Sequence, residues 1–286
     1  MSKLLNDLDL VSIYSQRWIM VGNQEAPFFV TIPHSGEKIP EFCDWLQGLP
    51  EEILMCDVDR YVDLLYAPAL QNLKVPCVKT DWHRYAADMN RVPEDIDSLS
   101  VEGHSNKPGT HNRGFHWQIT TLKYQLMKKP MSKKMHQDLV ALIYEPFHKA
   151  IRNQFEHISG KGFKKIYHID AHSMPSVGTS EHRDPGEHRA DIVVSDCKGK
   201  SSESEFVDLV IRSFEQAGFK VGYNWPYLGG RVSEQYGNPS IGHNTIQVEL
   251  NRSLYMDEKT KKLIPQHLEV QAQLARSLDK IVKSLS

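Results

Sequence analysis

An imidazole and a carboxylate stand three residues apart in His34-Ser35-Gly36-Glu37, directly beyond an apolar run, FFVTI at 28–32, that stops at Pro33. A loop of this length can turn both side chains onto one cation, and two histidines with a glutamate around an open fourth position form a catalytic zinc set. The pair alone is equally compatible with a solvated turn, because H-x-x-E arises by chance. A third ligand is needed, and His172 is the candidate. The segment KKIYHID at 164–170 reads as a strand that ends at Asp170 and releases Ala171, His172 and Ser173 into the next loop. Binding crevices in open α/β sheets form at such strand ends. Asp170 suits an outer carboxylate that orients a ligand imidazole, whereas His168 alternates along the strand and reads first as a satisfied core histidine.

Glu249 lies in TIQVELN at 245–251, where Ile246, Val248 and Leu250 alternate with Gln247, Glu249 and Asn251. An ionised carboxylate in mid-strand is costly unless it is paired, near a metal, or facing water from an edge strand. Beside a metal and its water it would serve as general base. In Asp88-Met89-Asn90-Arg91 the arginine offers a planar fork for a substrate carboxylate and the asparagine a hydrogen bond to an amide; the alternative is a surface salt bridge. His83 and Arg84 precede this segment. The fourteen histidines gather at 104–116, 168–172 and 182–188, which favours metal or acid–base chemistry.

These groups must be positioned by alternating strands and helices. After the strand at 28–32, residues 50–72 carry apolar side chains at helical spacing, and VPCVKT at 75–80 forms the next strand, so the order predicts a parallel crossover. Residues 92–116 are polar and aperiodic, a long functional loop. Helices are predicted over 132–158, 202–217 (closed by Gly218) and 263–284, with further strands at 190–196 and 219–224. The expected fold is α/β, with a mixed, mostly parallel central sheet flanked by helices, and a single catalytic domain over 1–286.

The chain is 40% hydrophobic and 24% charged with a formal net charge of −2, values that fit a globular protein and argue against nucleic acid as the main partner. Residues 1–14 carry acidic and amide groups where a signal peptide would be apolar, and no stretch is long enough to span a bilayer, so a cytoplasmic location is expected. The cysteines, Cys43, Cys56, Cys77 and Cys197, form no C-x-x-C and read as ordinary buried thiols. Oligomeric state is not encoded in any motif.

Together, VTIPHSGEKIP, DVDRYVDLLY, DMNR, HIDAHSM, ADIVVSD, GGRVSEQYGNPSIGH and NTIQVELNRSLYMDE run in order from residue 30 to 258 and resemble the N-formylglutamate amidohydrolase family, and more distantly the zinc carboxypeptidase and aspartoacylase superfamily. The resemblance implies that fold type. It also implies one zinc on His34, Glu37 and His172, Glu249 as base, and Asn90 with Arg91 as a clamp on a small substrate that carries a carboxylate. For the arginine that stabilises the oxyanion it leaves two candidates, Arg84 first and Arg231 second, the latter also counted among the substrate-binding residues. The implied reaction is hydrolysis of a small N-acyl amino acid, N-formyl-L-glutamate first. Cleavage of a peptide or cell-wall fragment and non-catalytic metal binding are the alternatives. The loops at 102–117 and 179–189 either line the pocket or are merely solvated.

Overall fold

The computed structural model describes residues 26–286; the amino-terminal segment read above as lacking a signal peptide lies outside them. Six strands form one sheet: β1 (Phe28–Ile32), β2 (Cys77–Lys79), β3 (Ile166–Met174), β4 (Ile192–Ser195), β5 (Val221–Tyr223) and β6 (His243–Asn251), in the order β2-β1-β3-β6-β4-β5. The pairs β1–β2, β1–β3, β3–β6 and β4–β5 are parallel and β4–β6 is antiparallel. The mixed, mostly parallel sheet expected from the alternating pattern is therefore present.

Period-two alternation divides the sheet into two faces. Phe28, Val30 and Ile32 of β1, Ile169 and Ala171 of β3, and Ile246, Val248 and Leu250 of β6 enter one core. Three helices supply its other side: α2 (Val62–Asn72), α5 (Ser204–Gln216) and α7 (His267–Leu285). On the opposite face Phe29 and Ile166 pack under α4 (Glu145–Gly160) and a long irregular segment that contributes Tyr85, Phe115 and Trp117. The predicted helix over 132–158 is α3 (Lys133–Leu139), a π-helical turn at Val140–Tyr144, and α4; Ser132 caps it by accepting from the Met135 N–H.

The helix expected from residue 50 to an end near Pro68 is not continuous, and its second part runs past Pro68 to Asn72. A single turn, α1 (Glu51–Leu54), is followed by an irregular stretch, and α2 begins only after Tyr61, whose backbone is left-handed (φ 70°). The cause is competition for backbone groups. The Cys56 carbonyl accepts from Arg252 and the Asp57 carbonyl from Arg84 and Arg252, while the Asp59 N–H donates to the His34 carbonyl. Two guanidiniums thus take carbonyls that a helix would have used, and the chain swings Asp57 and Asp59 inward.

Candidate active site

At the carboxyl ends of the central strands, the polar faces of β3 and β6 lie side by side. Asp170 pairs with Gln247 and His172 with Glu249 across the ladder. β3 runs on through Met174, so His172 and Ser173 are held by the strand rather than by the loop predicted for them. These residues open onto a cavity of about 350 Å³, the size of a small-molecule site.

His34 and His172 face each other with ring centroids 4.8 Å apart, and the carboxylate between them is Asp59. Asp59 Oδ2 lies 3.0 Å from His172 Nδ1 and 3.6 Å from His34 Nδ1. Ligand atoms of the three residues all fall within 4.8 Å of one another, close enough to hold one metal ion. Each imidazole uses its far nitrogen on an outer carboxylate: His34 Nε2 on Asp88 Oδ1 at 2.7 Å and His172 Nε2 on Asp170 Oδ2 at 2.8 Å. This is the carboxylate–histidine arrangement that fixes a ligand imidazole. The chemistry of the set fits a divalent ion, because His34 Nδ1 is buried, faces the cluster, and has no hydrogen-bond partner.

The electrostatics agree. Burial raises the proton affinity of Asp59, but the hydrogen bond from His172, the nearby His34 imidazole and the Arg252 charge outweigh it and hold the carboxyl well below its ordinary value. Burial is likewise overcome at Asp88, by His34 and Arg84, and at Asp170, by His172. Asp59 Oδ1 is steadied by Arg252 Nη2 at 3.0 Å and Ser173 Oγ at 3.1 Å, and Arg252 also donates to Ser173 Oγ. Glu249 is different. Burial pushes its carboxyl up to about 7, Asp59 adds to the rise, and His172 and Arg252 oppose it. Its Oε1 accepts from Gln247 Nε2 at 2.7 Å. With the amide NH2 turned toward Glu249, the buried Gln247 Oε1 is left unpartnered at the cavity.

Several expectations are corrected. The structure does not bring Glu37 to the cluster: Gly36 presses against the Asp81–Trp82 backbone, where a Cβ would come within 2.4 Å, and the chain is led outward. Glu37 is instead 38% exposed and paired with Arg60 at 2.8 Å. Arg231 starts a short helix, α6 (Arg231–Tyr236), is 44% exposed beside Glu234, and is not among the cavity-lining residues, although Gly229 and Gly230 are. Glu249 does not sit on an edge strand, since β6 lies between β3 and β4.

Arg84, Asn90 and Arg91 do line the cavity. Arg84 is held by Asp88 Oδ2 at 2.9 Å and the Asp57 carbonyl, lies over the Trp117 ring, and keeps a buried Nε without a partner. Asn90 Oδ1 accepts from the Val232 N–H, and Gly230 packs so closely on its side-chain amide that a Cβ there would come within 2.1 Å of Nδ2. Arg91 donates to the carbonyls of Arg113 and Asn90 and makes no ion pair among the described residues. Of the two long loops left open between pocket-lining and solvated, both reach the cavity, through Arg113 and Trp117 and through Glu181 and His182.

Fold and site together define a mixed α/β protein with a candidate metal centre and a buried carboxylate beside it. A family model described as N-formylglutamate amidohydrolase matches residues 26–256, and the chain belongs to that family. An N-formylglutamate deformylase of Pseudomonas aeruginosa is 25% identical over 239 residues, which cover 82% of this chain and 84% of that protein. One from Pseudomonas putida is 24% identical over 235 residues, covering 81% and 82%. The solved structure of an N-formylglutamate amidohydrolase from Ralstonia eutropha superposes with a TM-score of 0.84 at 26% identity, covering 94% of this chain and 98% of that one.

Proposed function

We propose that the chain acts as one catalytic domain, a zinc-dependent amidohydrolase that converts N-formyl-L-glutamate to formate and L-glutamate. The observation that carries this reading is the partnerless, buried Nδ1 of His34, aimed with His172 Nδ1 at Asp59 beside Glu249. His34, Asp59 and His172 would hold the ion. A zinc ion held there would supply Lewis acidity toward the formyl oxygen and would lower the pKa of an attacking water.

The remaining work falls to side chains of this chain. Glu249 takes the proton of the attacking water and returns it to the amide nitrogen as the carbon–nitrogen bond breaks; its raised proton affinity suits both halves of that exchange. Gln247 holds the Glu249 carboxylate in place. Arg84, with its spare buried Nε, faces the negative charge that develops on the formyl oxygen, a role whose loss typically costs about 10²–10³ in rate. Asn90 and Arg91 hold the α-carboxylate of the substrate, Arg91 through donors that no carboxylate of the described residues occupies.

The names of the relatives and the small cavity favour a small acyl amino acid over a peptide or cell-wall fragment. Formate release from N-formyl-L-glutamate, set beside amine release from short peptides and muramyl peptides, tests the assignment. Turnover of the peptides alone would sink the substrate while leaving the metal site standing. Arg91→Lys should lower kcat/KM for N-formyl-L-glutamate by about 10- to 100-fold, because an ammonium cannot reproduce the fork. It should matter far less for the corresponding α-amide.

A further inference from the structure

Four guanidiniums line the cavity, and they are not equivalent. Arg84 and Arg252 are each locked between a carboxylate and backbone carbonyls, and their places are structural as well as electrostatic. Arg91 and Arg113 are less committed. Arg91 spends Nε and Nη1 on carbonyls. Arg113 meets a carboxylate only through its terminal nitrogens, both 3.2 Å from Glu181 Oε2, while the other oxygen of Glu181 receives Lys123 Nζ at 3.0 Å. These two less committed cations are also tied together, because Arg91 Nε donates to the Arg113 carbonyl at 3.1 Å.

We propose that Arg113 stands beside Arg91 as the specificity residue for a second carboxylate, so that this wall of the cavity selects dicarboxylic acyl amino acids, with Glu181 occupying the position the ligand's distal carboxylate takes. The exchange is favourable in charge. Glu181 and Arg113 are each about a quarter exposed, and ion pairs of that kind are weak. When a ligand carboxylate takes Arg113, Glu181 keeps Lys123 as a partner. No like charge is left unpaired by the exchange. Arg91 reads one carboxylate and Arg113 the other, and a ligand with a neutral side chain satisfies only the first. Because a carboxylate already sits against Arg113, a monocarboxylic ligand gains nothing by displacing it, which is how the pair discriminates rather than merely attracts.

This inference rests on the amidohydrolase reading only for the identity of the substrate, so its test is a binding measurement. Zinc-loaded protein is titrated calorimetrically with glutarate, which carries two carboxylates, and with glutaramate, in which one of them is an amide. Wild type should bind glutarate at least about 10-fold more tightly, the worth of one charge-assisted contact. Arg113→Gln should abolish that preference by weakening glutarate about 10- to 100-fold while leaving glutaramate unchanged. Glu181→Gln should act in the opposite direction and tighten glutarate alone. This second variant decides the matter if Arg113→Gln fails to fold, which thermal denaturation would show. Equal binding of both ligands by wild type, no binding of either, an equal loss on both in Arg113→Gln, or no gain in Glu181→Gln would each overturn the inference. A protein that discriminates as described yet does not hydrolyse N-formyl-L-glutamate would lose the proposed reaction and keep this subsite.

Discussion

His168 and His172 lie on the same face of the same strand, both buried, and they behave as opposites. Around His168 the partners are neutral hydroxyls, Thr31 at 2.9 Å and Thr245 at 3.3 Å, and its ring stacks on Phe29 at 4.3 Å. Burial therefore dominates and drives its proton affinity down to about 4, so it is a neutral core side chain. Around His172 burial acts in the same direction, but Asp170 and Asp59 reverse the outcome and hold its proton affinity well above the ordinary value. Four residues further along, partners of another charge type make an imidazole into a cation or metal ligand. Depth alone does not define the site; the carboxylates of Asp170 and Asp59 do.

The sharpest way to break this comparison is to truncate each histidine. His172→Ala should reduce zinc content from about one per chain to near zero and turnover to background, by elemental analysis and formate release, whereas His168→Ala should retain zinc. Full zinc occupancy in His172→Ala would refute the ligand assignment. Next in size, Glu249→Gln should keep zinc and fold but lose about 100-fold or more in kcat, since the amide cannot accept a proton. Retention of a tenth of the wild-type rate would assign the water's proton to another group.

The third effect is on stability. His168→Ala removes a buried ring and strands the Thr245 hydroxyl, while Thr31 keeps its bond to Asp170, so urea denaturation should show a loss of about 2–4 kcal/mol. A smaller and pH-dependent effect is expected at Glu249 in protein stripped of metal. Its proton affinity in the folded state is raised from 4.5 to about 7, so the folded protein binds that proton more tightly than the unfolded chain does. Its stabilising contribution is complete below 4.5 and is lost as pH rises through about 7. Glu249→Gln, neutral throughout, should therefore stabilise the stripped protein increasingly between about pH 5 and pH 8, by roughly 1–3 kcal/mol at the upper end. Zinc should shrink that gain, and a gain independent of pH would mean that the carboxyl is not raised. Smallest of all, Glu37→Gln breaks only an exposed pair with Arg60. It should change stability by less than about 1 kcal/mol and leave zinc content and rate untouched.

Much of this arrangement was legible from residue order, because strands and their exits announce themselves by apolar runs broken by polar residues. His34, His172 and Glu249 were found that way. The carboxylate between the imidazoles was not. Asp59 lies in CDVDRYVDLL, which has helical spacing, and the segment reads as helix until the carbonyl-binding guanidiniums of Arg84 and Arg252 are known. A signal was available: Asp57 and Asp59, two residues apart, cannot both lie on the wet face of a helix whose other face holds Val58 and Val62. Glu37 illustrates the converse, a spacing that suits a metal ligand but whose backbone is steered away by the close approach of Gly36 to Asp81. Arg252 was passed over although Asn251-Arg252 follows a strand much as Asn90-Arg91 follows a strand and loop, and only tertiary contact separates the structural arginine from the receptive one. Arg231 follows two glycines that do reach the cavity, but the turn into α6 carries its side chain outward.

The direction of β4 has a consequence for how such a site can change over evolutionary time. A parallel strand after β3 would require the chain to return to the far end of the sheet before pairing. Because β4 runs antiparallel to β6, with Ile192 beside Leu250, the chain leaves β3 at Met174 and re-enters the sheet at the same end. The span between them needs no crossover, and it brings Pro175, Glu181 and His182 to the cavity wall. Lengthening or shortening that span costs little in chain entropy and leaves every strand register intact. The part of the cavity wall that carries Glu181 and His182 can thus diverge while the histidines, Asp59 and Glu249 stay in place.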